Sequence, residues 1–325
     1  MLLVLACLVT SIILIFLWVY ILSNDGSTLD EVNVRANFLI NGEHAPFYLA
    51  LDKGYYEDEN IDFTLIAGEG SGLTVQLVGT GKETFGLASS EIVLKGRSNG
   101  IPVTSFMLIN PQSPVNIYSL KGEGIQKPQD LYGKRLGVDL KSNTYIQYLA
   151  FANKLNLDRS KIIEVPTTTN VELLIQDSVD AFVHQTHKGP ITLRNKGFET
   201  EEILFEDYGL HFYGLTIIAN EELIEENPDL VERFSRATIK AWEESLEDPQ
   251  KATKALIKYN PDLDYNTSLQ QFLRFVELFD EESIKNQGFG HMTHKEWFDA
   301  QEILYELDII ENKIDVNTVF TNRFV

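Results

Sequence analysis

Val34-Arg35-Ala36-Asn37-Phe38-Leu39 alternates apolar and polar side chains as a strand does, and Ala45-Pro46-Phe47-Tyr48-Leu49-Ala50-Leu51-Asp52-Lys53-Gly54 follows as a short helix, with Pro at its start and Gly past its end. Ile61-Asp62-Phe63-Thr64-Leu65-Ile66 restores the strand pattern. Gly68-Glu69-Gly70-Ser71-Gly72 leads into a helix around 73–78, and Thr84-Phe85-Gly86-Leu87-Ala88 reads as a third, buried strand. The order β-α-β-α-β, with connections long enough to cross over, predicts a parallel sheet covered by helices.

A second unit of this kind opens near Leu120, with a helix start at 128–131, strands at 135–138, 161–165 and 180–184, and helices at 145–154 and 171–176. Beyond a strand at 215–219 the sequence turns acidic and helical over 229–247, 249–259, 268–277 and 295–307. Two α/β lobes with a helical carboxyl-terminal portion are the expected partition.

The chain has 48 acidic and 27 basic side chains, a net charge of −21, and one cysteine. It lacks the positive footprint that nucleic acid requires, and it can build neither a disulfide framework nor a cysteine-based zinc or iron–sulfur site. Residues 2–22 contain no charge, Pro or Gly, a membrane-spanning length. The expectation is an uncleaved single-pass anchor in the cell membrane, with Trp18 and Tyr20 near one interface, a linker over 23–31, and the rest on the extracytoplasmic side. Cys7, in Val4-Leu5-Ala6-Cys7, faintly resembles a lipobox but stands too near the start, and reads as a buried thiol.

Ala45-Pro46-Phe47-Tyr48-Leu49-Ala50 through Tyr55-Tyr56, Gly70-Ser71-Gly72-Leu73 through Gly79-Thr80-Gly81-Lys82, Pro128-Gln129-Asp130-Leu131 through Gly137, Val179-Asp180-Ala181-Phe182, Asn227-Pro228-Asp229-Leu230 with Ala241-Trp242, and Gly288-Phe289-Gly290-His291-Met292 with Trp297 follow one another in family order. Together they resemble ABC-transporter substrate-binding proteins of the thiamine-pyrimidine-precursor and sulfonate-binding superfamily. The resemblance implies a two-lobed type 2 periplasmic binding protein fold following the N-terminal transmembrane helix. Lobe one would comprise 32–119 and 215–325 and lobe two 120–214, with crossings near 119–124 and 211–215. It also implies capture of a small heterocycle, such as a thiamine pyrimidine precursor, between closing lobes, with ABC permease and ATPase subunits as partners. The alternative is a ligand-sensing ectodomain that signals through its anchor helix. A pyridoxal-phosphate-dependent pyrimidine synthase shares the resemblance. That branch carries a Lys, with a His four residues on, after the third strand, and a Cys-rich run at the return crossing. Here Gly86-Leu87-Ala88-Ser89-Ser90-Glu91-Ile92 and Tyr208 through Leu215 hold neither, so no catalysis and no cofactor are expected.

Ligands of open parallel sheets sit at the carboxyl ends of the strands. The first strand offers Asn37, Phe38, Asn41 and His44, where the pyrimidine-binding branch has Asp-Trp in place of Asn37-Phe38 and a similar Asn-x-x-His. Gly70, Ser71 and Gly72 precede a helix, and either bind an anion or form a tight turn. Ser89 and Ser90 end the third strand; Asn143 and Thr144 open a lobe-two helix as ligand contacts or caps. His184 ends another strand, and Tyr213 resembles an aromatic position of the family. His184-x-x-His187 and His291-x-x-His294 have helical spacing, but without a second cluster no metal site is expected.

Overall fold

The computed structural model describes residues 29–168, 170–279 and 281–325. Ten strands form two five-stranded sheets. β1 (Asp30–Arg35), β2 (Ile61–Ile66), β3 (Phe85–Ser89), β4 (Val103–Leu108) and β10 (Leu215–Asn220) build the first, in the order β2-β1-β3-β10-β4. β5 (Val115–Leu120), β6 (Arg135–Val138), β7 (Ile163–Pro166), β8 (Ala181–Gln185) and β9 (Thr200–Leu204) build the second, in the order β7-β6-β8-β5-β9.

Each sheet is mixed rather than parallel throughout. β1 pairs parallel with β2 and β3, whereas β10 lies antiparallel between β3 and β4. The second sheet repeats the plan, with β6 parallel to β7 and β8, and β5 antiparallel to β8 and β9. The antiparallel members are the strands that enter a sheet directly from a crossing. Because β5 already belongs to the second sheet, the first crossing is 109–114, ahead of the 119–124 expected from sequence. The return lies between β9 and β10.

The crossings are bonded together. The Gly214 amide donates to the Asn110 carbonyl (2.9 Å), and the Ile109 and Asn110 amides both donate to the Leu215 carbonyl (2.8 and 3.1 Å). A Cβ on Gly214 would stand 2.9 Å from the Gln112 carbonyl oxygen, so the close approach requires glycine.

Lobe one packs around aromatic rings. Tyr56 stacks on Phe63 at 4.0 Å and Phe85 on Phe234 at 4.4 Å, while Trp242 of the helix Pro228–Glu247 is wholly buried among Phe47, Phe272, Phe275 and Phe289. Such pairs contribute about 0.5–1.5 kcal/mol beyond their burial. The acidic helices that follow β10 thus complete the first lobe. The chain end returns as well: the Ser105 amide donates to the Val319 carbonyl at 2.9 Å, and Phe320 bridges to Ser105 on the edge strand β4.

The expected membrane anchor requires correction. Among the described residues no helix is long and apolar enough to cross a membrane, and residues 2–22, on which that expectation fell, lie outside them. The fold is a two-lobed α/β architecture with no transmembrane helix among the described residues, and single-pass membrane localisation is not supported.

Candidate functional site

The carboxyl ends of β1, β3, β6 and β8 bring the loops of both lobes together. After β1 the chain turns through a single 3-10 turn, Gly42–His44, capped by Asn41, whose side-chain oxygen accepts from the Glu43 amide (3.0 Å). The Asn41 amide donates to His44 Nδ1 (3.2 Å), so the proton of the neutral ring lies on Nε2, which donates to Asn37 Oδ1 (3.0 Å). Asn37 and Asn41 then each donate through Nδ2 to Glu43 Oε1, at 3.4 and 3.0 Å. His44 is fully buried, and burial pushes its imidazole down from 6.5 to about 4, against the pull of Glu43.

This cluster faces lobe two. Glu43 Oε2 lies 2.9 Å from His187 Nε2, and Glu43 Oε1 lies 3.1 Å from Lys188 Nζ. Burial pushes the Glu43 carboxyl up, but Lys188, His187 and His44 outweigh it and hold the group well below its ordinary value. Burial lowers His187 in turn, partly offset by Glu43. Lys188 also stands 5.5 Å from the centre of the Phe38 ring, which is 43% exposed. His184 is half-buried, its Nδ1 has no partner, and burial, with Lys188 and His187 nearby, takes its ring down to about 3. At the rim, Arg274 Nε donates to Thr186 Oγ1 and Asn195 Nδ2 to Thr267 Oγ1, both at 2.9 Å across the lobes.

On the other side of lobe one, two helices begin without a side-chain cap, Ser71–Gly79 behind Gly70 (φ +118°) and Ser90–Ser98 behind Ser89. The first-turn amides of Ser71–Gly79 give that helix start a positive end, whereas Ser90–Ser98 carries Glu91 in its first turn and its Ser90 amide donates to the Gly214 carbonyl (3.3 Å). Ser71 Oγ accepts from the Ser89 amide at 3.2 Å, and Gly72 is exposed with open space around it. Glu91, wholly buried, reaches lobe two: its Oε1 accepts from Gln147 Nε2 (2.9 Å) and Asn143 Nδ2 (3.2 Å).

The residues nominated from sequence thus divide. Asn37, Phe38, Asn41 and His44 gather with His187 and Lys188; Ser71 meets Ser89; Asn143 crosses to Glu91. Thr144 bonds Ser142 within its own helix start (2.8 Å). Ser90 is tied to the return crossing, its hydroxyl donating to the Tyr213 carbonyl (2.7 Å). Tyr213 is placed elsewhere: its hydroxyl accepts from the Thr293 amide (2.9 Å) and its ring packs edge-on against Trp297. Sequence reasoning did not single out Glu43, Lys188 and Gln147, which bond across the lobes, and weighed His187 only for metal spacing. The available signal was a charged Glu43 between two nominated residues, and Lys188 directly after the His184-x-x-His187 pair.

The model of the family described as NMT1/THI5 like matches residues 41–252. The riboflavin-binding protein RibY of Chloroflexus aurantiacus is 23% identical over 310 residues, 93% of this chain and 88% of that protein. The 4-amino-5-hydroxymethyl-2-methylpyrimidine phosphate synthase of Legionella pneumophila is 26% identical over 316 residues, 92% of this chain and 93% of that protein. The periplasmic aliphatic sulphonate binding protein SsuA of Escherichia coli superposes with a TM-score of 0.70 at 12% identity, covering 89% of this chain and 91% of that one. Relatives named as synthases overturn the expectation that catalysis is absent, since likeness of this degree extends to enzymes and binding proteins alike. The synthase motifs remain absent from 86–92 and 208–215, while Lys188 of lobe two, outside both stretches, pairs with the buried Glu43. The matched span and the paired sheets agree: the chain belongs to the NMT1/THI5-like family, within the type 2 periplasmic-binding-protein superfamily.

Proposed function

We propose that this chain is the solute-binding component of an ABC importer, that it closes its lobes on a small, flat nitrogen heterocycle of the thiamine-pyrimidine-precursor kind, and that it delivers the solute to permease and ATPase subunits. The observation that carries this reading is the Phe38 ring, exposed on lobe one with lobe-two Lys188 above it, in a cleft otherwise lined by buried polar groups. An exposed aromatic face stacks a planar ring, and convergent polar groups fix its orientation. Asn37, Ser71, Ser89 and His184 are the proposed polar contacts, and the uncapped helix start behind Gly70 suits an electron-rich substituent. The names of the relatives point the same way, one to riboflavin and one to a pyrimidine.

Isothermal titration of the full chain with a 4-aminopyrimidine, riboflavin and an alkanesulfonate tests the reading. A heterocycle is expected to bind, and Phe38→Ala to weaken it by roughly two- to tenfold. Binding of the alkanesulfonate alone overturns the assignment.

A further inference from the structure

Glu91 is the second residue of the helix Ser90–Ser98 and lies where β3 ends. Its side chain is completely buried, and its two oxygens are treated differently. Oε1 accepts from Gln147 and Asn143 in the first turns of the lobe-two helix Asn143–Lys154. Oε2 is buried with no hydrogen-bond partner. Gln147 is itself held, its Oε1 accepting from Ser113 Oγ (2.6 Å) in the first crossing. Ser113, Gln147 and Glu91 therefore form one chain of bonds across the base of the cleft beside the crossings, and the carboxylate lies between the lobes.

A buried acceptor without a donor forgoes the hydrogen bonds that water gave it, more costly still when charged, so a group left in that state calls for a partner. Burial pushes the Glu91 carboxyl up, and Gln147, its own amide, Asn143 and Ser89 only partly offset this. The unsatisfied atom is on lobe one, while the atom beside it is already spent on lobe two. A molecule held between the lobes can therefore complete the carboxylate.

We propose that Glu91 Oε2 is the solute acceptor of this site, and that the solute is one presenting an N–H donor, an exocyclic amine or amidine-like edge, at the base of the cleft. This deepens the proposed function and rests on it. Glu91 then determines specificity: an N–H group completes it, whereas a carbonyl at the same place sets two acceptors against each other.

The experiment compares a 4-aminopyrimidine with the matching 4-pyrimidinone by isothermal titration of the full chain. Wild type is expected to prefer the amine by at least about tenfold, the ratio that one unmet buried hydrogen bond imposes. Glu91→Gln places an amide N–H where Oε2 was, and is expected to erase or invert that preference, with thermal unfolding as the folding control. If Glu91→Gln does not unfold cooperatively, Glu91→Asp, which withdraws the carboxylate by one methylene, replaces it and is expected to lose amine affinity. An unchanged preference in the folded variant overturns the role of Glu91 and leaves the heterocycle reading standing. Wild type that binds the alkanesulfonate and neither pyrimidine overturns both.

Discussion

Glu43 on the β1 side and His187 on the β8 side meet at 2.9 Å across the two lobes, with side chains 1% and 0% exposed. Lys188 adds the balancing charge at 3.1 Å, itself 13% exposed. A carboxylate taken this far from water persists because Lys188 supplies the opposite charge and His187, Asn37 and Asn41 supply hydrogen bonds.

Removing that carboxylate leaves a largely buried ammonium without its counter-charge. Glu43→Ala is expected to destabilise the protein by about 3 kcal/mol, the lower end for breaking a buried pair, since Lys188 retains some solvent. Glu43→Gln keeps the acceptor and loses the charge, so its cost is smaller. Urea denaturation of both variants measures this, and a loss below about 1 kcal/mol for Glu43→Ala would mean that desolvation already cancels the pair.

The same cluster sets the acid limit. Burial takes His44 down to about 4 and His184 to about 3 from 6.5, and lowers His187. As pH falls below 6.5 the unfolded chain binds protons that the folded chain refuses, so stability drops by about 1.4 kcal/mol per pH unit for each of His44 and His184, and His187 adds in the same direction. Glu43 acts with the same sign but lower, its contribution being lost only as pH falls through its depressed folded value. The surface carboxylates titrate mostly below pH 5, and the buried Glu91 carboxyl, pushed up by burial, acts in the opposite sense, so the difference between wild type and a histidine variant over 6.5 to 5 reads the histidine contribution. The Tm is expected to fall steadily across that interval, and His44→Asn to make the fall shallower; an equal fall in that variant contradicts the buried neutral ring.

Much of this was legible where local chemistry and tertiary packing agree. The helix Ala45–Lys53 has Pro46 in its first turn and stops at Gly54, which takes the left-handed conformation its position demands (φ 71°). The strands Val103–Leu108 and Val115–Leu120 escaped notice for the opposite reason. Every residue of the first, and all but the last of the second, is buried, so neither shows the alternation that marks a half-exposed strand. Missing them displaced the first crossing. The site suffered similarly: Asn41 and His44 stood out as a spaced pair, whereas Glu43 gains meaning only from His187, 144 residues away.

The turn after β2 sets the position of Phe38. The Gly68 amide donates to the Phe38 carbonyl (3.0 Å), and a Cβ at Gly68 would fall 1.9 Å from the Ala36 carbonyl oxygen, which also accepts from Thr74 Oγ1 (3.0 Å). Gly68→Ala must push this turn off the end of β1, at a cost of about 1–3 kcal/mol. The expected result is a lowered Tm together with weakened solute binding, because the displaced backbone carries Asn37 and Phe38. A variant that loses stability and binds as before would place Phe38 outside the binding surface.

The crossings offer the last test, because lobe closure must turn about them. Gly214 has the Asn110 carbonyl on its amide, the Ser90 amide on its own carbonyl (3.3 Å), and no room for a Cβ between Gln112 and Asn110. Gly214→Ala therefore separates the two crossing strands and shifts Ser90, next to Glu91, while both sheets keep their aromatic cores. The expected cost is again about 1–3 kcal/mol, or about 2–4 °C in Tm per kcal/mol for a chain of this size. Small-angle scattering with and without solute separates stability from motion. Wild type is expected to contract on binding, as hinge closure requires, and Gly214→Ala to contract less at saturating solute. Equal contraction would show that closure turns about some other point in the chain.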